Sequence, residues 1–126
     1  MKRILIVDDE VGFTKIMKLN LEATGNYEVT ILTEAKNLID NLHKTMPDLI
    51  LLDLLMPGIG GIEACDMLNE DPLGQKTPVI ILSALEKPVD KLNAFKRGVV
   101  DYIIKTTEFN EIVLKIEKAI EQKKAM

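Results

Sequence analysis

Tryptophan is absent, aromatic residues make up only 4% of the chain, and Cys65 and His43 are each the only residue of their kind in 126. A lone cysteine excludes an intramolecular disulfide, and so few aromatics mean that the core has to be built from aliphatic side chains. No apolar run approaches the ~20 residues that cross a bilayer, and the first residues already read as a strand rather than a basic-plus-apolar leader. A cytoplasmic protein with no membrane partner is expected. Basic charge is also in short supply: 16 Lys+Arg stand against 20 Asp+Glu, a formal net charge of −4. That balance argues against direct nucleic-acid binding, which usually needs a basic surface. The lysines near the end (Lys115, Lys118, Lys123, Lys124) read instead as the solvated face and favourable last turn of a helix. Repeats, low-complexity segments and linkers are missing, so residues 1–126 are expected to form one domain with no room for a linked output domain.

What is present is a series of short apolar runs alternating with helical patterns. Ile4-Leu5-Ile6-Val7 is followed by Phe13, Ile16, Met17 and Leu21 at helical spacing, in a helix predicted to end near Gly25. Val29 and Ile31 alternate with polar neighbours, which marks a half-exposed strand at a sheet edge, and Ala35, Leu38, Ile39 and Leu42 continue as a helix. Leu49-Ile50-Leu51-Leu52 is continuously apolar, as for a strand covered on both faces, and a helix around Ile62 to Leu68 follows Pro57-Gly58 and Gly60-Gly61. Asp71-Pro72-Leu73-Gly74 reads as a turn before the run Val79-Ile80-Ile81-Leu82. Leu92 and Phe95 mark a short helix closed by Gly98, and the run Tyr102-Ile103-Ile104 follows. Phe109, Ile112, Val113, Ile116 and Ile120 trace the stripe of a last helix, with Thr106 or Thr107 as its expected N-cap. Five strand–helix units predict an α/β, flavodoxin-like doubly wound parallel sheet, order 2-1-3-4-5, with five helices.

Four of the five runs end in polar groups: Asp8-Asp9-Glu10, Asp53, Ser83 and Lys105. Ligands of open α/β sheets gather outside the carboxyl ends of the strands, so these residues are expected to share one site. An Asp after a strand is often only a turn or cap residue, and Asp8-Asp9 alone is weak evidence; the coincidence at four strand ends is what carries weight. Two carboxylates ~4 Å apart repel by roughly 4 kcal/mol at an effective dielectric of about 20. Something positive has to sit among them. A hard divalent cation that uses few carboxylates and also takes phosphate oxygens, Mg²⁺, is the natural occupant.

The chain resembles the receiver domain of bacterial two-component response regulators along essentially its whole length. The resemblance rests on Ile4 to Glu10, Pro47 to Gly58 with Asp53 inside it, Ile81-Leu82-Ser83-Ala84, and Gly98 to Lys105, in the family's order and spacing. It implies a phosphoacceptor protein rather than an enzyme, catalysing only its own phosphoryl transfer and autodephosphorylation. Asp53 would take a phosphoryl group from a phosphohistidine on a histidine kinase or a histidine phosphotransfer protein. Asp9, Asp53 and the backbone carbonyl of Leu55 would bind Mg²⁺ directly, Asp8 would act mainly through a water, and Lys105 would hold a phosphoryl oxygen. Ser83 would turn toward the phosphoryl group and Tyr102 would enter the space it leaves, changing the surface of the fourth helix, fifth strand and last helix for a downstream target or a phosphorylation-dependent dimer. Ala84 would leave the site accessible.

Two positions depart from the family pattern. Thr106 stands where a proline in a cis peptide is usual, and a cis bond there would cost ~3 kcal/mol. Gly60 replaces a frequent Asp, which predicts a more flexible loop after Asp53. Leu55 is apolar at the rim of the site and is expected to hinder a hydrolytic water. A phosphatase of the haloacid dehalogenase type would need a second Asp two residues after the nucleophile, where Leu55 stands. A flavodoxin-like cofactor binder would need a phosphate-cradling loop where Asp8-Asp9-Glu10 would repel one. Within the response-regulator reading, a stand-alone effector, a phosphorelay carrier and the receiver fragment of a longer DNA-binding regulator whose linker begins near Ala125-Met126 all remain open. His43 is expected to be exposed and no phosphodonor, and Cys65 a small core residue.

Overall fold

The computed structural model describes residues 1–124; Ala125 and Met126, where a linker was expected to begin, lie outside the described residues. Five strands, β1 (Lys2–Val7), β2 (Tyr27–Leu32), β3 (Leu49–Leu52), β4 (Val79–Ser83) and β5 (Asp101–Ile104), pair in parallel in the order β2-β1-β3-β4-β5. The half-exposed second strand lies at the edge, as its alternation predicts. Six helices connect and follow them: α1 (Val11–Ala23), α2 (Leu38–Thr45), α3 (Gly61–Asn69), α4 (Pro72–Lys76), α5 (Pro88–Lys96) and α6 (Phe109–Lys124).

Period-two alternation decides which side of the sheet each residue stabilises. Ile4 and Ile6 of β1, Leu49 and Leu51 of β3, and Ile80 and Leu82 of β4 pack with Met17 and Leu21 of α1 and with Ile112, Ile116 and Ile120 of α6. Leu5 and Val7, Ile50 and Leu52, and Ile81 face the other way, onto Leu38 and Leu42 of α2 and Ala64, Cys65 and Leu68 of α3. Fully burying one such aliphatic side chain is worth roughly 1.5–3 kcal/mol, so a one-residue slip in any inner strand would be prohibitive. Cys65 is buried as expected, and burial pushes its thiol up to about 11.

The fold departs from the sequence reading in four places. The segment read as a turn at Asp71-Pro72-Leu73-Gly74 is the start of α4: the Asp71 carboxylate accepts from the N–H groups of Leu73 and Gly74, and Pro72 sits where the helix needs no donor. Helix α4 lies so close to α3 that a Cβ on Gly74 would stand 2.2 Å from the Leu68 carbonyl oxygen, which only glycine tolerates. Thr106 and Thr107 do not cap the last helix; they form a turn, and the Glu108 carbonyl accepts the first helical bonds, from Glu111 and Ile112.

Ile16 is the third difference, since it points away from the core and the inward stripe of α1 runs through Thr14, Met17 and Leu21 instead. The fourth is α5, where Leu92 and Phe95 face outward and Ala94 makes the core contact. Helical spacing of apolar residues finds a helix but does not say which stripe is inward when two exist.

Side-chain ties that the pattern reading passed over fix the ends of the sheet. Glu117 of α6 accepts from Lys2 and from the Tyr27 hydroxyl, joining β1, β2 and α6 at the amino ends of the strands. Burial, together with the Glu117 carboxylate, raises the Tyr27 phenol well above its usual range. His43 is exposed, as expected, and its Nε2 lies 2.7 Å from Asp71, linking α2 to the cap of α4.

Candidate functional site

The parallel register carries the polar residues to one place. Val7 pairs with Leu52, Leu52 with Ile81, and Ser83 with Ile104, so Asp8, Asp53, Ser83 and Lys105 all lie at the carboxyl edge of adjacent strands. Backbone bonds continue past the strands and hold these ends in line: Asp8 N–H donates to the Leu32 carbonyl, Asp53 N–H to that of Val7, and Lys105 N–H to that of Ser83, at 2.8–2.9 Å. The first turn of α3 closes on the same edge. Gly61 N–H donates to the Leu54 carbonyl, and a Cβ on Gly61 would come within 2.5 Å of the Asp53 carbonyl oxygen. Gly61 therefore fixes the backbone of Asp53, a role that the sequence reading, which treated Gly61 only as part of a break before the helix, did not give it.

Asp8 and Asp53 are buried, at 1% and 5% exposure, while Asp9 is exposed beside them. One carboxylate oxygen from each of the three lies within 4.8 Å of the other two, so the cluster can hold a metal ion. These are hard oxygen donors, and they match a small divalent cation. The carbonyl of Leu54 is engaged by Gly61, whereas no backbone N–H among the described residues claims that of Leu55. Leu55 is 61% exposed at the rim, and Ala84 is exposed.

Both oxygens of Asp8 are in use. Oδ1 accepts from Glu10 N–H at 2.9 Å, and Oδ2 lies 2.8 Å from Lys105 Nζ. The same ammonium stands 3.3 Å from Glu10 Oε1 and 3.7 Å from Asp53 Oδ1, with its side chain only 8% exposed. Burial works against the charged lysine, but its hydrogen bond to Asp8 and the charges of Asp53 and Asp8 outweigh it and hold Lys105 above its ordinary range. The peptide after Lys105 is trans, with Thr106 in place, and the ammonium still reaches the cluster.

Asp53 responds in the opposite sense from a typical ion-paired carboxylate. Burial and the neighbouring charge of Asp8 push its pKa up to about 7, and Lys105 only partly counters them. Ser83 is buried, and its Oγ accepts from Leu85 N–H at 3.3 Å. The carbonyl of the same Leu85 accepts from the Tyr102 hydroxyl at 2.8 Å, so one residue connects the two side chains, and Tyr102 is already buried with the Ser83 hydroxyl still turned to Leu85 rather than entering space that Ser83 leaves.

The doubly wound parallel sheet with an acidic, lysine-bearing cluster at its carboxyl edge defines a class of phosphoryl-accepting signalling domains. The model of one such family, the response regulator receiver domain, matches residues 4–117, and the chain belongs to that family. It is 36% identical over 116 residues to the response regulator ArlR of Staphylococcus saprophyticus, an alignment covering 92% of this chain and 51% of that one. It is 29% identical over 122 residues to the phosphate regulon transcriptional regulatory protein PhoB of Rhizobium meliloti, covering 97% and 53%. The chain thus spans about half the length of these curated relatives. Its fold matches that of a CheY-like receiver domain from Methanospirillum hungatei with a TM-score of 0.89 at 24% identity, over 99% of this chain and 98% of that one. Receiver domains are phosphoacceptors of two-component systems that interact with histidine kinases, and the family is not one of conventional enzymes. No helix among the described residues is long and apolar enough to cross a membrane.

The raised pKa of Asp53 has a signed consequence. In the unfolded chain its value is about 3.8 and in the fold about 7, so protonation favours the folded state and that contribution is lost as pH rises through about 7. Without divalent cations, urea denaturation of Asp53→Asn against the parent is expected to show the variant more stable by about 1–3 kcal/mol at pH 8, with the difference closing toward pH 5. Equal stability at both pH values would contradict this.

Proposed function

We propose that Asp53 is the phosphoacceptor of this receiver domain, taking the phosphoryl group of a phosphohistidine on a partner kinase or histidine phosphotransfer protein. The observation that carries this reading is the convergence of Asp53, Asp9, Asp8 and Lys105 at register-aligned strand ends. A carboxylate oxygen of Asp53 attacks phosphorus, the P–N bond breaks, and its electron pair returns to the imidazole nitrogen. An acyl phosphate forms on Asp53.

Asp9, Asp53 and the Leu55 carbonyl would hold Mg²⁺, which, when bound, supplies positive charge to the phosphoryl oxygens and aligns them. Asp8, with both oxygens already engaged, suits contact through a water rather than a direct bond. Lys105, whose ammonium already lies near Asp53, would neutralise a phosphoryl oxygen.

Ser83 and Tyr102 would report the event. A Ser83 hydroxyl drawn to the phosphoryl group gives up its bond from Leu85 N–H, and the Leu85 carbonyl that holds Tyr102 moves with it. The affected surface is that of α5, β5 and α6, where a downstream protein or a second phosphorylated copy would bind. The share of its relatives that the chain covers favours a second reading, the receiver module of a longer DNA-binding regulator. A native gene product of 14.1 kDa would exclude that second reading.

Intact mass after incubation with Mg²⁺ and acetyl phosphate is expected to rise by one phosphoryl group in the parent and not in Asp53→Asn. A gain in both proteins would move the acceptor elsewhere, and a gain in neither would overturn the reading for small donors. Leu55 is proposed to keep water from the acyl phosphate. Loss of the label from Leu55→Asn should then be about 3- to 10-fold faster than from the parent, with no acceleration counting against that role.

A further inference from the structure

Lys105 has two kinds of neighbour, and only one of them is charged. Beyond the carboxylates of Asp8, Glu10 and Asp53, its Nζ stands 4.8 Å from the centroid of the Phe13 ring. Phe13 lies on the first turn of α1, three residues after Glu10, half buried against the α1–α6 face of the sheet. The ring is thus anchored in the core on one side and offers its π-face to the ammonium on the other.

Resting on the phosphoacceptor reading above, we propose that Phe13 is a positioning residue for phosphoryl transfer, holding the Lys105 ammonium where it can meet a phosphoryl oxygen on Asp53. The physical need is specific. Asp8 and Glu10 both draw the lysine toward β1 and α1, and at 2.8 and 3.3 Å they lie closer to it than Asp53 does, at 3.7 Å. A further carboxylate in place of the ring would hold the ammonium more strongly, but would cancel its charge and repel the incoming group. An aromatic face attracts the cation and leaves its net charge intact. Lys105 has four rotatable methylene bonds, and a planar wall beside its tip restricts where the tip can go without blocking donation of its protons. The sequence carries a signal for this pair only in the aromatic at the first turn of the helix after Asp8-Asp9-Glu10; nothing in periodicity sets it apart from a core position.

The test uses the 126-residue chain with Mg²⁺ and acetyl phosphate, following the initial rate of mass gain on Asp53. Phe13→Leu, which keeps an apolar side chain and loses the ring, is expected to slow phosphorylation about 3- to 30-fold, and Phe13→Tyr to restore it to within about 2-fold of the parent. In a Lys105→Met background, Phe13→Leu is expected to have no further effect, because the ring acts only through the ammonium. A loss that persists in that background, or equal rates for parent and Phe13→Leu, overturns the proposal. If the parent itself takes no phosphoryl group, the failure lies with the acceptor reading. The inference then still stands or falls on a second measurement that needs neither chemistry nor a variant: the Lys105 ε-methylene protons of the parent are expected at upfield, ring-shifted positions in the NMR spectrum, and ordinary positions would overturn it.

Discussion

The enforced proximity of Asp8 and Asp53 is the constraint on which the site depends. Two carboxylates, each almost wholly removed from water, are brought together because the Asp53 N–H is bonded to the Val7 carbonyl, the last link in the ladder between β1 and β3. Left alone, such a pair repels, and burial together with the charge of Asp8 displaces the Asp53 pKa upward. The two aliphatic layers on either side of the sheet supply the free energy that keeps the pair together. Lys105 relieves part of the repulsion, and its own charge is held by the same carboxylates. Such a cluster is poised for positive charge and for the oxygens that come with it.

The sheet separates this tension from the parts that hold the molecule together. At the amino ends of the strands, Lys2, Tyr27 and Glu117 form a closed set of opposite charge and hydrogen bonds that ties α6 to the edge of the sheet. At the carboxyl ends, like charges face one another and the chain leaves each strand through a short loop. Paired charges stand at one end and like charges at the other, the arrangement expected where a functional site works against the fold that carries it. The apolar residues left outside on α5, Val89, Leu92 and Phe95, border the segment that holds Tyr102, and Lys91 of the same helix lies 5.7 Å from the Tyr102 ring centroid.

Much of this was legible in the residues alone, for a physical reason. Parallel strands buried on both faces must be continuously apolar, so the runs ending in Asp8-Asp9, Asp53, Ser83 and Lys105 stood out, and the alternation of Val29 and Ile31 placed β2 at the edge. What escaped was set by tertiary contact or by competing signals. Ile16, Leu92 and Phe95 have helical spacing but face solvent, because the inward stripe depends on which neighbour a helix meets. The start of α4 carried its own signature, an Asp cap followed by proline, that was read as a turn. The contact of Phe13 with Lys105 spans about three quarters of the chain, and no local pattern announces a pair so far apart in sequence.

The register that assembles the cluster also decides what kind of change the chain can accept. Asp53 follows Leu52 by one residue, and Leu52 lies opposite Val7 and Ile81. Replacing a side chain within β3 alters packing, but inserting or deleting one residue there would carry Asp53 out of step with Asp8 and Lys105 and turn it toward the other face of the sheet. Length changes in the loops at the amino ends of the strands have no such effect on the cluster. Variation by indel is therefore directed to one pole of the molecule, and at the other pole the spacing of residues is as much a part of the site as their identity.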